Sequence, residues 1–100
     1  MKQGIRIFEK EIEKIERNFD IFEVDVAKFC DKVIGRKSLS DAQKIDSMLR
    51  LDATLYMYLG STSTKTLRDE TRKKSRVIYR AIKRIDKALG DSFLSHQDKT

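Results

Sequence analysis

The feature that most constrains the fold is a run of apolar residues spaced alternately three and four apart over the first third of the chain. Its members are Ile5, Phe8, Ile12, Ile15, Phe19, Phe22, Val26, Phe29 and Val33. This spacing keeps one apolar face along a helix, as in coiled-coil packing. The pattern predicts one long helix over residues 4–34. Asp20 followed by Glu23 is an alternative helix start, which would divide the segment and give a bundle of four short helices.

Three glycines indicate where helices end. Gly35, Gly60 and Gly90 each follow an apolar pair, and a glycine there commonly ends a helix because it adopts the left-handed conformation without a Cβ penalty. The chain has no proline. These positions predict helices that end before residues 35, 60 and 90, followed by a polar C-terminal tail over 91–100.

Two hydroxyl residues indicate where the second and third helices begin. Ser40 and Gln43 fit a capping box, in which the hydroxyl and the amide each satisfy a backbone N–H at the helix start. Thr66 and Asp69 fit a looser version, because Asp is shorter than the usual Glu. With helices near 41–59 and 66–89, the sequence predicts an all-α, antiparallel three-helix bundle, formed as a single domain over residues 1–90.

The segment LYMYLGSTSTKT, residues 55–66, has the outline of an apolar strand that leads into a phosphate-binding loop. A P-loop has a second glycine directly before its lysine, because the backbone wraps closely around the phosphates, but this chain has Thr64 there. A P-loop also belongs to a parallel sheet, and the sequence contains no convincing strand. The segment is therefore interpreted as a helix–loop–helix connection.

Residues suited to catalysis or metal binding are few. His96, the only histidine, lies in the predicted tail without a second ligand or base near it in sequence, and Cys30 beside Phe29 suits a small apolar packing role. Asp52 falls within the apolar arc of the second helix, where a carboxylate is costly unless paired, so we expect an ion pair or a rim position. The sequence predicts a non-enzymatic protein without catalytic residues, metal or cofactor.

The strongest functional pattern is a basic face on the third predicted helix. Opposite the apolar arc of the helical wheel lie Arg72, Lys73, Arg76, Arg80, Lys83, Arg84 and Lys87. Residues 65–87 hold ten Lys or Arg and three Asp or Glu, whereas the whole chain has a net charge of +6. These cations are predicted to point away from the core, beyond the reach of the acidic residues of the first helix.

An exposed row of cations of this kind suits phosphate binding. Each neutralised phosphate releases counterions, which gives an affinity that depends strongly on salt and little on base sequence. Tyr79 lies beside the row and is a candidate for stacking on an exposed base. The face lacks the Asn and Gln that read base edges. The sequence therefore predicts a protein that binds the nucleic-acid phosphate backbone with little sequence specificity.

The same face fits a second class of function, a protein-interaction or assembly adaptor or inhibitor that docks on an acidic protein partner. A first helix of about 30 residues would span about 45 Å, longer than its neighbours can cover. Its exposed apolar end predicts a homo-oligomer formed through this helix.

Composition indicates the expected environment. A single cysteine forms no internal disulfide, and no apolar run approaches the roughly 20 residues that cross a bilayer. The charged N-terminus lacks the apolar centre of a secretory signal. We expect an intracellular, cytoplasmic protein that does not enter a membrane. Small size, heavy charge and few catalytic residues would suit a phage or mobile-element accessory protein.

Overall fold

The computed structural model describes residues 8–60 and 63–98, and these ranges form helices joined by short turns. The helices are α1 (Glu9–Arg17), α2 (Val26–Ile34), α3 (Asp41–Met57), α4 (Lys65–Ile85) and α5 (Lys87–Asp98). The predicted all-α class is confirmed. The described residues form five helices, however, rather than the three or four that the sequence predicts.

The first difference is a break in the predicted helix over 4–34. The chain turns back after α1, near the alternative break point at Asp20, whose carboxylate accepts a hydrogen bond from the backbone N–H of Phe22 (2.9 Å). Asp25 then caps α2 by accepting from the backbone N–H of Lys28 (3.0 Å). The prediction of one continuous helix is wrong, because these two carboxylates stabilise a turn and a new helix start.

The apolar spacing runs through this break because the helices on both sides of the turn bury most of its members, among them Ile12, Phe29 and Val33. Phe8 and Phe29 meet edge to face across the hairpin, with ring centroids 5.6 Å apart. Phe22, in the turn, is 48% exposed. The apolar face that was expected to join two copies therefore packs largely within one chain. The argument for a homo-oligomer from a 45 Å helix no longer applies, and self-association stays a prediction.

One of the two predicted helix starts is correct. Ser40 Oγ accepts from the backbone N–H of Gln43 (3.1 Å), and Gln43 Oε1 accepts from the backbone N–H of Ser40 (2.8 Å), so the capping box is confirmed. The other, the predicted start of the third helix, is displaced by two residues. Thr64, rather than Thr66, caps α4 by accepting from the backbone N–H of Leu67 (3.2 Å).

The second difference in helix count arises at the C-terminal end. Asp86 ends α4 by donating its backbone N–H to the carbonyl of Ile82 (2.8 Å), and its side chain caps α5 by accepting from the backbone N–H of Leu89 (3.0 Å). Gly90 therefore lies inside a helix and does not end one. The predicted polar tail is wrong over residues 91–98, which belong to α5. None of the described glycines adopts a positive φ.

Successive helices alternate in direction. Lys74 Nζ of α4 donates to the carbonyl of Val24 (2.9 Å), just before α2, and Arg84 contacts Asp31 (3.0 Å), so α2 and α4 run parallel. The core lies between α2, α3 and α4, with α1 closing one side. Its buried hydrophobic members are Phe8, Ile12, Ile21, Val26, Phe29, Cys30, Val33, Met48, Leu51, Leu55, Ile78, Ala81 and Ile82. All of them precede α5, which packs the partly buried Leu89 and Phe93 against this core.

Candidate nucleic-acid interface

Three helices surround α4 and determine which of its side chains reach solvent. Its apolar side packs on α2 and α3, and α5 folds back antiparallel over a further side. What remains open is a narrow face between α2 and α5. The predicted fold lacked α5. In the structure, acidic residues of this helix pair with some of the seven cations of the predicted basic face and leave others open to solvent.

Three of the seven cations are ion-paired with acidic residues of α5. Arg76 Nη1 lies 2.5 Å from a carboxylate oxygen of Asp98, and the Arg76 side chain is only 29% exposed. Asp91 accepts from two cations through its two oxygens, Lys83 Nζ and Lys87 Nζ, each at 2.9 Å. These three cations were expected to extend into solvent without internal partners, and they instead contact acidic residues of the segment predicted to be a tail. Lys87 also lies on α5 and not on the helix to which the sequence analysis assigned it.

Three cations remain on the open face of α4, and we name them the open basic strip: Lys73, Arg80 and Arg84. Arg80 is exposed and has no ion-pair or hydrogen-bond partner among the described residues. Lys73 is 77% exposed with Glu70 4.0 Å away, and Arg84 is 58% exposed and pairs with Asp31 at 3.0 Å. At about 100° and 1.5 Å per residue, the strip occupies an arc of about 40° and a length of about 17 Å.

Arg72 lies apart from the open basic strip. It is exposed, but it lies about 80° around the helix from Arg80. Its backbone carbonyl accepts from Gln97 Nε2 of α5 (3.4 Å), which places the C-terminal end of α5 beside it. The structure therefore separates this cation from the group to which the sequence analysis assigned it.

Tyr79 has both its ring and its hydroxyl occupied within the chain. The ring stacks on Phe93 of α5, with centroids 5.1 Å apart and an interplanar angle of 18°. The hydroxyl donates to a carboxylate oxygen of Asp52 (2.8 Å). Burial, together with the neighbouring carboxylate, raises the pKa of Tyr79 to about 12. The candidate stacking residue is thus a packing residue in this structure, and the ring face toward α5 is covered.

Asp52 is buried, with 8% of its surface exposed, and its partners are hydroxyls rather than a cation. Its two oxygens accept from Ser75 Oγ (2.5 Å) and from Tyr79 (2.8 Å). The expected ion pair is absent from the described residues, and the position is not at the rim. Burial raises the pKa of Asp52, because desolvation penalises the charged form more than the two hydrogen bonds favour it.

The remaining candidate residues offer little chemistry. Cys30 is 1% exposed, and burial raises the pKa of its thiol to about 12, so it packs as a small apolar side chain. His96 lies exposed on α5. Among the described residues, no group of His, Cys, Asp and Glu could hold a metal ion. None of the helices over 8–60 and 63–98 has both the length and the apolar content of a membrane-spanning segment.

Sequence reasoning missed the three acidic residues that shape this face. Asp86 is a residue type that commonly caps a helix N-terminus, as its bond to the Leu89 N–H shows, but it lies inside the predicted helix over 66–89. Asp91 and Asp98 were assigned to a tail because α5 has a weak apolar pattern, in which only Gly90 and Gln97 are fully buried. Gly and Gln seldom signal a packed helix face, so the periodicity was hard to see.

A second exposed feature lies at the C-terminal end of α3, near the turn between α1 and α2. Phe22, Met57 and Tyr58 are 48%, 64% and 47% exposed, and Tyr58 stacks on Phe19 with centroids 4.6 Å apart. A cleft of about 260 Å³ lies between Phe22 and Tyr58. Exposed aromatic and Met side chains in one place are typical of protein contact surfaces.

Comparison of the chain with protein-family models, with curated proteins and with solved structures gives no match.

Proposed function

We propose that the protein binds the phosphate backbone of double-stranded nucleic acid, with little sequence specificity, through the open basic strip of α4. The observation that carries the proposal is the placement of Lys73, Arg80 and Arg84 on one solvent-facing side of a single helix, with Arg80 unpaired among the described residues. This is a smaller set than the seven cations that the sequence predicts.

The ion pairs within the strip do not prevent phosphate binding. Arg84 and Asp31 are both more than half exposed, and a pair of this kind contributes about 0–1 kcal/mol because solvent screens it. The Lys73–Glu70 distance of 4.0 Å is longer than a hydrogen bond. A phosphate that approaches the strip therefore replaces weak contacts, and the counterions released from the nucleic acid favour the exchange.

The aromatic residues favour a duplex over a single strand. Proteins that bind single strands without sequence preference stack bases on exposed aromatic rings beside the basic groove. Tyr79, the aromatic residue nearest the strip in sequence, is stacked on Phe93. The exposed Tyr58 and Phe22 line a cleft with Leu67 and Thr71 of α4, which lie about 120° and 160° around that helix from Lys73. The open basic strip thus offers cations without a stacking platform.

Salt-dependent binding of a labelled generic duplex and a labelled single strand tests the proposal. Each neutralised phosphate contributes about −0.9 to the slope of log K against log salt for a duplex, so three cations predict a slope near −3. The double variant Lys73→Glu with Arg80→Glu should weaken duplex binding at every base sequence and reduce the slope by about two.

The matched control carries the same charge change elsewhere. Lys10 and Arg17 are exposed on α1, so Lys10→Glu with Arg17→Glu alters net charge equally and leaves α4 intact. We expect the control to retain most of the wild-type affinity. Absence of wild-type binding at low salt would contradict the proposal, as would equal loss in the two double variants, which would indicate attraction by net charge alone.

A second candidate function is a protein-interaction adaptor. The exposed group at the end of α3, Phe22, Met57 and Tyr58, favours it, because aromatic and Met side chains are enriched at protein interfaces. Tyr58→Ser with Phe22→Ser distinguishes the two functions. If the protein binds nucleic acid, this variant binds a duplex as the wild type does. If it is an adaptor, the wild type does not bind a duplex, and the variant loses a protein partner that the wild type retains in a pull-down.

A further inference from the structure

We propose that α5 is an intramolecular competitor for the phosphate-binding face, which it covers with its own carboxylates until nucleic acid displaces it. The inference rests on the proposed function and extends it to a regulation of the same helix. In the closed state the open basic strip makes the first contacts. In the open state Arg76 and Lys83, the two α4 cations paired to acidic residues of α5, join it and raise the number of cations from three to five.

The first argument is chemical. Asp91 holds Lys83 and Lys87 at 2.9 Å each, and Asp98 holds Arg76 at 2.5 Å. Each carboxylate accepts a charge-assisted hydrogen bond from a cation, as a phosphate oxygen would. The two acids are seven residues apart on one helix, about 10 Å along its axis, so they place two anionic groups along α4.

The second argument is that α5 adds no fully buried hydrophobic residue to the core. The fully buried hydrophobic core ends at Ile82, and within α5 only Gly90 and Gln97 are buried. Leu89 and Phe93 of α5 pack against that core as partly buried residues, and the Phe93 ring stacks on Tyr79 of α4. A helix whose apolar residues are only partly buried opens at a lower free-energy cost than the helices of the core, so α5 is the helix expected to leave first.

The third argument concerns the connection between the two helices. Asp86 alone separates α4 from α5, in an extended conformation (φ −137°, ψ 97°). Its backbone N–H bonds to α4 and its side chain caps α5, so each helix has its own termination and start. A rotation at this residue would move α5 as a unit without unwinding α4.

The contact between Gly90 and Lys83 offers a way to displace α5 without changing a charge. A Cβ added to Gly90 would lie 2.5 Å from the Lys83 Cα, so the two helix backbones must separate to accept it. Alanine also favours the helical conformation by about 1 kcal/mol over glycine. Gly90→Ala is therefore expected to push α5 away from α4 while keeping it helical. Hydrogen exchange of the α5 amides, with circular dichroism, reports whether this occurs.

The test compares duplex binding of the wild type and Gly90→Ala over a range of salt. We expect the variant to bind about tenfold tighter or more, with a slope steeper by about two, because two further cations, Arg76 and Lys83, meet phosphates. If the α5 amides lose protection but affinity and slope do not change, the competitor role is wrong. If binding weakens, α5 is part of the binding surface, which also overturns the inference.

A second variant covers the case in which Gly90→Ala fails to fold or keeps α5 docked. Asp91→Asn with Asp98→Asn removes the competing charges at exposed side chains, and Asp41→Asn with Asp46→Asn on α3 is its charge-matched control. The first pair should steepen the salt slope by about two and the control should not. Equal changes in the two would overturn the inference.

Failure of the inference is distinguishable from failure of the proposed function. If the wild type binds a duplex and loses that binding in Lys73→Glu with Arg80→Glu, the open basic strip is correct whatever α5 does. Unchanged slopes in both α5 variants then reject the competitor alone. If the wild type and both α5 variants all fail to bind at low salt, the proposed function itself is rejected.

Discussion

The hydroxyl of Tyr79 donates a 2.8 Å hydrogen bond to a buried carboxylate oxygen of Asp52, and this contact joins α4 to α3 at the point where α5 also packs. Ser75 donates to the other oxygen, so the acid has two hydroxyl partners and no described cation. A carboxylate in this setting is stabilised by hydrogen bonds and penalised by desolvation. The raised pKa of Asp52 shows that desolvation is the larger effect.

Replacement of Asp52 by Asn should make stability less dependent on pH. Because the pKa of Asp52 is raised on folding, the wild type has its full stability below the ordinary carboxyl pKa and loses stability as pH rises through the raised value. Asn keeps an acceptor and gains a donor for the two hydroxyls, and it has no charge to desolvate. The stability of Asp52→Asn relative to wild type should therefore increase from acid to neutral pH.

Urea unfolding followed by circular dichroism at several pH values checks this expectation. Asp46→Asn, at an exposed position on the same helix, is the control and should show no such trend. A difference between Asp52→Asn and wild type that stays constant with pH would mean that Asp52 titrates as it does in the unfolded chain.

Replacement of Tyr79 by Phe should lower stability and leave duplex binding unchanged. The variant loses a hydrogen bond to a buried acid, which is worth about 1 kcal/mol, and keeps the ring stacked on Phe93. The free energy of unfolding and the duplex affinity are measured on the same sample. Weaker binding at unchanged stability would instead assign Tyr79 to the interface, as the sequence analysis suggested.

The start of α4 can be tested with two neighbouring threonines. Thr64 caps the helix, so Thr64→Ala should cost about 1 kcal/mol of stability. Thr66, the cap predicted from sequence, is exposed within the first turn, and Thr66→Ala should change stability little. Thermal or urea unfolding of both variants gives the comparison, and the reverse order would place the helix start two residues later.

Cys30 should be unreactive in the folded protein. It is buried in the core, and burial raises the pKa of its thiol to about 12, so almost no thiolate exists at neutral pH. A colorimetric thiol reagent should react slowly with the native protein and fast in urea. Fast reaction under native conditions would show that the core around α2 opens, because Cys30 is the single cysteine of the chain.

Part of the fold was predictable because it depends on neighbours in sequence. The capping box of Ser40 and Gln43 involves residues three apart, and the end of α2 before Gly35 is a local event. The break near Asp20 was only an alternative in the sequence analysis, because the apolar spacing keeps the same phase on both sides of the turn and is equally compatible with a straight helix and with a hairpin. The carboxylates of Asp20 and Asp25 favour the turn, and they form local hydrogen bonds that the apolar spacing does not report.

The candidate site was less predictable because it depends on residues far apart in sequence. Lys83 and Asp91, or Arg76 and Asp98, meet only because α5 folds back on α4. That docking uses the close approach of Gly90 to Lys83, which a search for apolar periodicity does not detect.

The sequence by itself determined that the protein is helical, where α3 begins, and that the positive charge is concentrated in α4, since these follow from residue types and local spacing. Only the tertiary structure decided which of those cations reach solvent, because the reversals at Asp20 and Asp86 bring distant acidic residues beside some of them and leave Lys73, Arg80 and Arg84 on the open face. The physical reason is that exposure and ion pairing are properties of packing between helices, whereas periodicity and capping are properties of one helix.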